Sequence, residues 1–277
     1  MNIAILGCES SHAEEFSARI HGNKLGKVTH VWDENHSLAK QKQNQIGADY
    51  CFKEIDKSFD EVDMVLIEGR YADSHFLPAY EALSREIPVY IDKPATSSYI
   101  EAKRLSELAN FKKVPLRSFT AMAMSSEFKK FTSETHGFNH FIVGCPALCN
   151  GIDDDKAKDL SFYASHATDL LTILVKTRPT NVMCKLVNEV IWVTVEFDGG
   201  YLGSLYLPLK SEEFYFVQAM KNERLVQANI NPFGDMYDNI VEYICNTFPD
   251  EGWNEFQFNN AINSMWIIDQ IKKQVIL

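Results

Sequence analysis

The chain has 277 residues, enough for two modest domains. Its composition, 45% hydrophobic and 23% charged, is that of an ordinary globular protein and leaves no room for extensive disorder. A formal net charge of −11 argues against nucleic acid or an anionic membrane surface as partner, because both need a basic face.

The opening MNIAILGC places no basic stretch before a long apolar run, so no signal peptide is expected. The apolar runs fall well short of the ~20 residues of a membrane helix, so a cytoplasmic protein is expected. The six cysteines lack the spacing of a disulfide framework and read as reduced thiols. Cys145 and Cys149, with His136 and His140 upstream, come nearest to a zinc pattern. No second pair follows at zinc-finger spacing, so no metal is expected.

In chain order, Asn2 to Leu6 reads as a strand ended by Gly7, followed by a helix over about 13–21. Ser11 with Glu14 three residues on has the form of a capping box. Val28 to Trp32 is a second strand ending at Asp33, and a helix over 38–46 closes at Gly47. Strands at 62–67, 88–91 and 114–119 alternate with helices at 76–83 and 99–109. Nearly all-apolar strands alternating with amphipathic helices predict a doubly wound parallel sheet, covered on both faces. Ligands of such sheets bind beyond the carboxyl ends of the strands. Gly7, Asp33, the segment after Ile67 and Lys93 all follow strands, so they are expected to line one crevice.

The second half changes character. Helices are predicted at 126–132 and from Ser161, with a strand at 138–143. Two β-rich runs, 189–197 and 201–207, flank Asp198-Gly199-Gly200, a strong hairpin signal. A further pair at 217–220 and 224–228 turns around Asn222, and a helix over 259–275 ends the chain. The expectation is a Rossmann-type α/β domain over 1–120, then an α+β domain over 121–277 with a largely antiparallel open sheet.

Several residues in this frame carry chemistry. The first turn, GCESSH, keeps only the first glycine of the GxGxxG fingerprint. Glu9 and His12 stand where the second and third would be. Asp33 at the end of the second strand suits a ribose hydroxyl pair. Glu34, Asn35 and His36 follow it and offer no Arg or Lys to a 2′-phosphate, which favours NAD over NADP. Asp92-Lys93-Pro94 puts an ammonium at a strand end, where it is able to hold a substrate oxygen or assist proton transfer. His166 lies three residues before Asp169 in a helical segment, so the two share a face.

Together these features resemble the glucose-fructose oxidoreductase / inositol dehydrogenase / MocA (Gfo/Idh/MocA) family. The likeness runs through MNIAILG, VDMVLIEGRYADSHFLPAYEAL, VYIDKPATSSYIEAKRLSELA, SHATDLL and VEFDGGYLGSL, and so spans nearly the whole chain. It implies hydride transfer between NAD and a sugar, polyol or related alcohol. Lys93 would be the catalytic lysine and His166 the acid/base residue, with Asp169 also toward substrate. Gly7, Ser10, Ser11, His12, Asp33, Arg70, His75, Asp92 and Lys93 would border the cofactor. Pro94 would follow a cis bond, and the C-terminal sheet would join subunits as a homodimer or homotetramer. The sequence departs from the family at Phe162, where an Asp is usual, and at Arg70 and Tyr71, which replace a small residue and a proline. Arg70 would then meet the pyrophosphate in compensation for Glu9. Two other readings remain open: a catalytically silent ligand-binding member, and an NAD-dependent glycoside hydrolase.

Overall fold

A computed structural model describes residues 1–148, 159–248 and 258–275. The chain forms two compact units, one of Met1–Ser118 with Tyr237–Asn259, the other of Phe119–Met236 with Asn260–Leu277.

The first unit is a six-stranded sheet in the order β3-β2-β1-β4-β5-β6. Its strands are β1 (Asn2–Leu6), β2 (Lys27–Trp32), β3 (Tyr50–Cys51), β4 (Met64–Ile67), β5 (Val89–Ile91) and β6 (Leu116–Ser118). Every pairing is parallel. The alternating helices are α1 (His12–Gly22), α2 (His36–Ile46), α3 (Phe76–Ser84) and α4 (Tyr99–Lys112). All four residues of β4 and all three of β5 are buried, as a sheet covered on both faces requires. The order reverses between β1 and β4, so the carboxyl ends of these two strands open the crevice of a doubly wound fold.

The expected capping box at α1 does not form. Ser11 stands at the N-cap without a side-chain cap bond, and the Glu14 carboxylate instead accepts from Lys42 at 2.8 Å. The side chain of Ser10, one residue earlier, accepts the His12 N–H at 3.1 Å.

A division at residue 120 assigns everything after it to the second unit, yet the segment from Tyr237 returns to the first. Its helix, Met236–Asn246, was not foreseen. Ile240, Val241, Ile244 and Phe248 are fully buried. Arg19 pairs with Asp238 at 3.0 Å, and Arg117 donates to the Tyr243 hydroxyl at 3.0 Å.

The second unit holds a six-stranded sheet in the order β12-β11-β7-β10-β9-β8. Its strands are β7 (His140–Gly144), β8 (Pro179–Val187), β9 (Val190–Phe197), β10 (Tyr201–Pro208), β11 (Phe216–Lys221) and β12 (Arg224–Asn229). Only β7 and β10 pair in parallel. Asp198-Gly199-Gly200 makes the predicted hairpin, with both glycines at positive φ, 82° and 75°. The inner face buries Val193, Val195, Leu205, Leu207 and Val217. The helices here are α5 (Ser126–Glu134), α6 (Ser161–Val175) and the C-terminal Asn259–Gln274. A Cβ on Gly203 of β10 would stand 2.7 Å from the Leu171 side chain, so that glycine lets α6 lie close on the sheet. The other face carries Trp192, Tyr206, Phe214 and Phe216 in edge and tilted ring contacts, with Trp192 half exposed. Strand β8, also unforeseen, is the sheet edge, and most of its residues are exposed.

Among the described residues no helix is long and apolar enough to cross a membrane. Cys149 lies outside the described residues. Cys145 is buried with Sγ toward the carbonyls of Pro146 and Tyr163, at 3.3 and 3.5 Å.

The return of the chain to the first unit has a measurable consequence. Phe248→Ala is expected to cost about 3–5 kcal/mol in urea unfolding, the usual range for emptying a fully buried aromatic site. A loss below about 1 kcal/mol would show that this segment is not part of that core.

Candidate functional site

The first turn is built around two residues without side chains. Gly7 has φ +90°, and a Cβ there would lie 2.5 Å from the Gly69 backbone nitrogen. The loops leaving β1 and β4 therefore touch backbone to backbone. Asp33, at the end of β2, holds the turn from the other side. One carboxylate oxygen accepts the Cys8 N–H at 2.7 Å and the other the Asn35 N–H at 2.8 Å. A carboxylate has about four lone-pair sites, so two acceptor positions remain for a ribose diol. Burial, with the Asp33 charge, pushes the Cys8 thiol up to about 12, which makes it inert at neutral pH.

Beneath the turn lies a cluster that sequence reading only partly anticipated. The His12 Nδ1 meets Asp92 at 2.7 Å, and its Nε2 meets the Tyr237 hydroxyl at 2.8 Å. Ligand atoms of His12, Glu68 and Asp92 all lie within 4.8 Å of one another. Glu68 follows β4 directly and is fully buried, and neither of its carboxyl oxygens has a hydrogen-bond partner among the described residues. Burial, and then the Asp92 charge, raise its pKa well above the usual carboxylate value. Burial pushes Asp92 the same way, but His12 and Lys93 outweigh it and leave that carboxyl below its ordinary range. Burial and the surrounding carboxylates push the Tyr237 phenol up.

At the exit of β5, Lys93 is buried to 7% exposure and its bond to Pro94 is cis. His75 clasps this loop to the one after β4. One ring nitrogen meets the Pro94 carbonyl at 2.7 Å and the other the Gly69 carbonyl at 2.8 Å. Helix α4 then begins with a reciprocal cap. The Ser98 hydroxyl accepts the Glu101 N–H at 3.3 Å, and the Glu101 carboxylate accepts the Ser97 N–H at 3.1 Å.

The second unit gathers a separate group on α6. His166 Nδ1 meets the Thr120 hydroxyl at 2.7 Å, and Asp169 accepts the Thr120 N–H at 2.9 Å. The predicted shared face is real, and both side chains turn to one residue. The Tyr215 ring stands edge-on to His166 at 5.4 Å. Phe162 is half-buried one turn earlier and packs against Tyr163.

Gly7, Ser10, Ser11, His12, Asp33, Arg70, His75, Asp92 and Lys93 all belong to the first unit, at or just beyond the carboxyl ends of its strands. Not all face outward alike. Ser11 is exposed and Ser10 buried, while His75 is fully buried and occupied by two carbonyls. The Arg70 guanidinium lies 5.8 Å from the Tyr71 ring centre. Sequence reading missed Glu68, Thr120 and Tyr237. For Glu68 a signal exists: it is the first residue past an all-apolar strand of a parallel sheet. No short-range signal ties Tyr237 to His12.

Residues 1–119 match the profile of the Gfo/Idh/MocA oxidoreductase family, NAD-binding Rossmann fold. Over those residues the chain is similar to the NAD-binding domain of that family. No curated protein matches the sequence. Solved structures share the fold at low identity. GenD2 from gentamicin A biosynthesis, in complex with NAD, is 15% identical with a TM-score of 0.80, covering 97% of this chain and 92% of that one. UDP-N-acetylglucosamine 3-dehydrogenase GnnA from Acidithiobacillus ferrooxidans is 16% identical with a TM-score of 0.81, covering 99% and 97%. A dehydrogenase from Chromobacterium violaceum is 13% identical with a TM-score of 0.80, covering 99% and 95%. The residues present fit a dinucleotide at Asp33, whose two remaining acceptor positions suit a ribose diol.

The His75 clasp makes a pH prediction. Burial lowers the His75 pKa, against the two carbonyls that favour its proton. A folded pKa below the unfolded one means that protons bind the unfolded chain preferentially as pH falls. The buried neutral ring, which donates to one of the two carbonyls, therefore contributes its stability fully above about pH 6.5 and loses it as pH falls below. In urea melts at successive pH values, the difference between wild type and His75→Gln is expected to shrink from pH 7.5 to pH 5. A constant difference would place the His75 pKa at its ordinary value.

Proposed function

We propose that this protein is an NAD-dependent oxidoreductase acting on a small sugar, polyol or related alcohol. The observation that carries this reading is the Lys93 loop: a nearly buried lysine just past the carboxyl end of β5, on a backbone fixed by the His75 contact to the Pro94 carbonyl. An ammonium so held has little positional entropy to lose, which suits it to hold a reacting oxygen. Asp33 would accept the ribose hydroxyls, and Glu34, Asn35 and His36 beside it offer no Arg or Lys for a 2′-phosphate, so NAD is favoured over NADP. When bound, NAD supplies the acceptor or donor of the hydride.

The protein's own residues would handle the proton. Lys93 donates a hydrogen bond to the substrate oxygen and stabilises negative charge as the O–H proton leaves. His166, on α6 of the second unit, is the residue to which the family resemblance would assign that proton. Its Nδ1 meets the Thr120 hydroxyl at 2.7 Å, which orients the ring. Asp169 fixes the Thr120 backbone and thereby the ring. GnnA, a UDP-N-acetylglucosamine 3-dehydrogenase, supports a sugar-related substrate.

Calorimetric titration with NAD and NADP is the direct test. We expect micromolar NAD binding, weakened at least ~10-fold by Asp33→Ala, a loss of about 1.4 kcal/mol. Lys93→Met is expected to keep NAD binding and lower kcat by ~10²–10⁴ on any alcohol that wild type oxidises. Failure of both nucleotides to bind would end the dehydrogenase reading. Phe162, apolar where the family usually has an Asp, favours a silent binding member, and tight NAD binding without turnover of any alcohol would favour that second reading.

The open face of the second sheet, with Trp192, Tyr206 and Phe216, supports assembly with a second copy as a homodimer or homotetramer. Trp192→Glu is expected to shift wild-type oligomer to monomer in sedimentation velocity. A wild-type monomer would refute the assembly.

A further inference from the structure

The cluster under the first turn has a property that dehydrogenase chemistry does not use. Two carboxyl groups, Glu68 and Asp92, are buried beside one imidazole, and only Asp92 is satisfied by it. Among the described residues, both Glu68 oxygens lack a hydrogen-bond partner. A proton would remove the Glu68 charge but not this defect, because a carboxylic acid still needs an acceptor for its O–H. Buried charges are otherwise paired or coordinate metals.

We propose that His12, Glu68 and Asp92 form a binding site for one first-row divalent cation of the Zn²⁺ or Mn²⁺ type. The donor set of one imidazole nitrogen and two carboxylate oxygens suits such ions. The three ligand atoms already lie within 4.8 Å of one another. Bonds of ~2.0–2.2 Å set ligand atoms on one ion ~3–4 Å apart, so shifts of about 1 Å complete the site. The ion would take the place of the proton now shared between the His12 Nδ1 and Asp92, 2.7 Å apart, and move the two atoms outward.

The neighbour on the other ring nitrogen supports this independently. A metal-bound imidazole donates its second N–H to an acceptor, which fixes tautomer and orientation. The Tyr237 hydroxyl stands 2.8 Å from the His12 Nε2, and a phenol oxygen accepts as readily as it donates. The ligands come from the start of α1 and the ends of β4 and β5. Separated so widely in sequence, they present no metal motif to a linear scan.

The test uses full-length protein treated with EDTA and dialysed, then titrated with ZnCl₂ and MnCl₂ by calorimetry. Retained metal is measured by elemental analysis after gel filtration. We expect about one equivalent of at least one of the two ions, bound at micromolar affinity or tighter. Glu68→Gln, which keeps shape and removes charge, is expected to weaken binding at least ~100-fold. Tyr237→Phe is expected to weaken it ~10-fold through loss of the acceptor on Nε2. His12→Ala is the control should Glu68→Gln fail to fold, since His12 is only half-buried, and it is expected to weaken binding as Glu68→Gln does. The proposal is overturned if wild type binds neither ion. It is equally overturned if binding persists unchanged in every folded variant, which would place the ion at unrelated surface groups.

Discussion

The contact between Gly7 and Gly69 constrains the rest of the first unit. A doubly wound sheet opens its crevice where the strand order reverses, here between β1 and β4. The two loops leaving those strands must pass each other at that point, and they do so backbone against backbone. Any side chain at Gly7 would occupy the position of the Gly69 nitrogen. Other features follow from this closeness. Asp33 closes the first turn from the β2 side through the Cys8 N–H. His75 closes the β4 loop from the β5 side through the Gly69 and Pro94 carbonyls. The carboxyl edge of the sheet is thus laced from β2 to β5 by two side chains, and Lys93 sits on the last link.

That lacing brings charge into a small volume. Glu68 and Asp92 end neighbouring strands, so their carboxyl groups approach each other by the parallel register itself. Two like charges in a buried setting do not both ionise without compensation. His12 and Lys93 compensate Asp92 and hold it ionised, which leaves Glu68 as the group that must find a proton or a cation. The asymmetry arises from geometry: His12 reaches Asp92 at hydrogen-bond distance, and among the described residues none hydrogen-bonds Glu68.

Much of this was legible in the sequence because the first unit obeys simple patterning. Short, largely apolar strands alternate with helices, and the ends of β1, β2 and β5 are marked by Gly7, Asp33 and Asp92. The hairpin at Asp198-Gly199-Gly200 was legible for the same reason, since its positive φ values need those residues. What stayed hidden was set by tertiary context. Strand β8 has little apolar alternation because it is a largely exposed edge paired only with β9. The helix Met236–Asn246 has an apolar stripe, but nothing local says that it serves the first unit. The Ser11 capping box failed because Lys42, on another helix, claimed Glu14. Tyr237 and Glu68 joined the site through contacts of long sequence separation, which no motif encodes.

The altered fingerprint also looks different in three dimensions. Glu9, in place of the second glycine, reads from sequence as the more damaging change because of its charge near a phosphate. Its side chain is exposed, so the turn that it belongs to keeps its shape. His12, in place of the third glycine, is the change with structural reach. A glycine there serves close packing of helix on strand. The imidazole instead extends from the start of α1 to Asp92 at the end of β5 and to Tyr237 on a helix from much later in the chain. The imidazole therefore supplies a polar connection among three elements where the fingerprint has a packing contact, while the Gly7 turn keeps the fingerprint's first glycine.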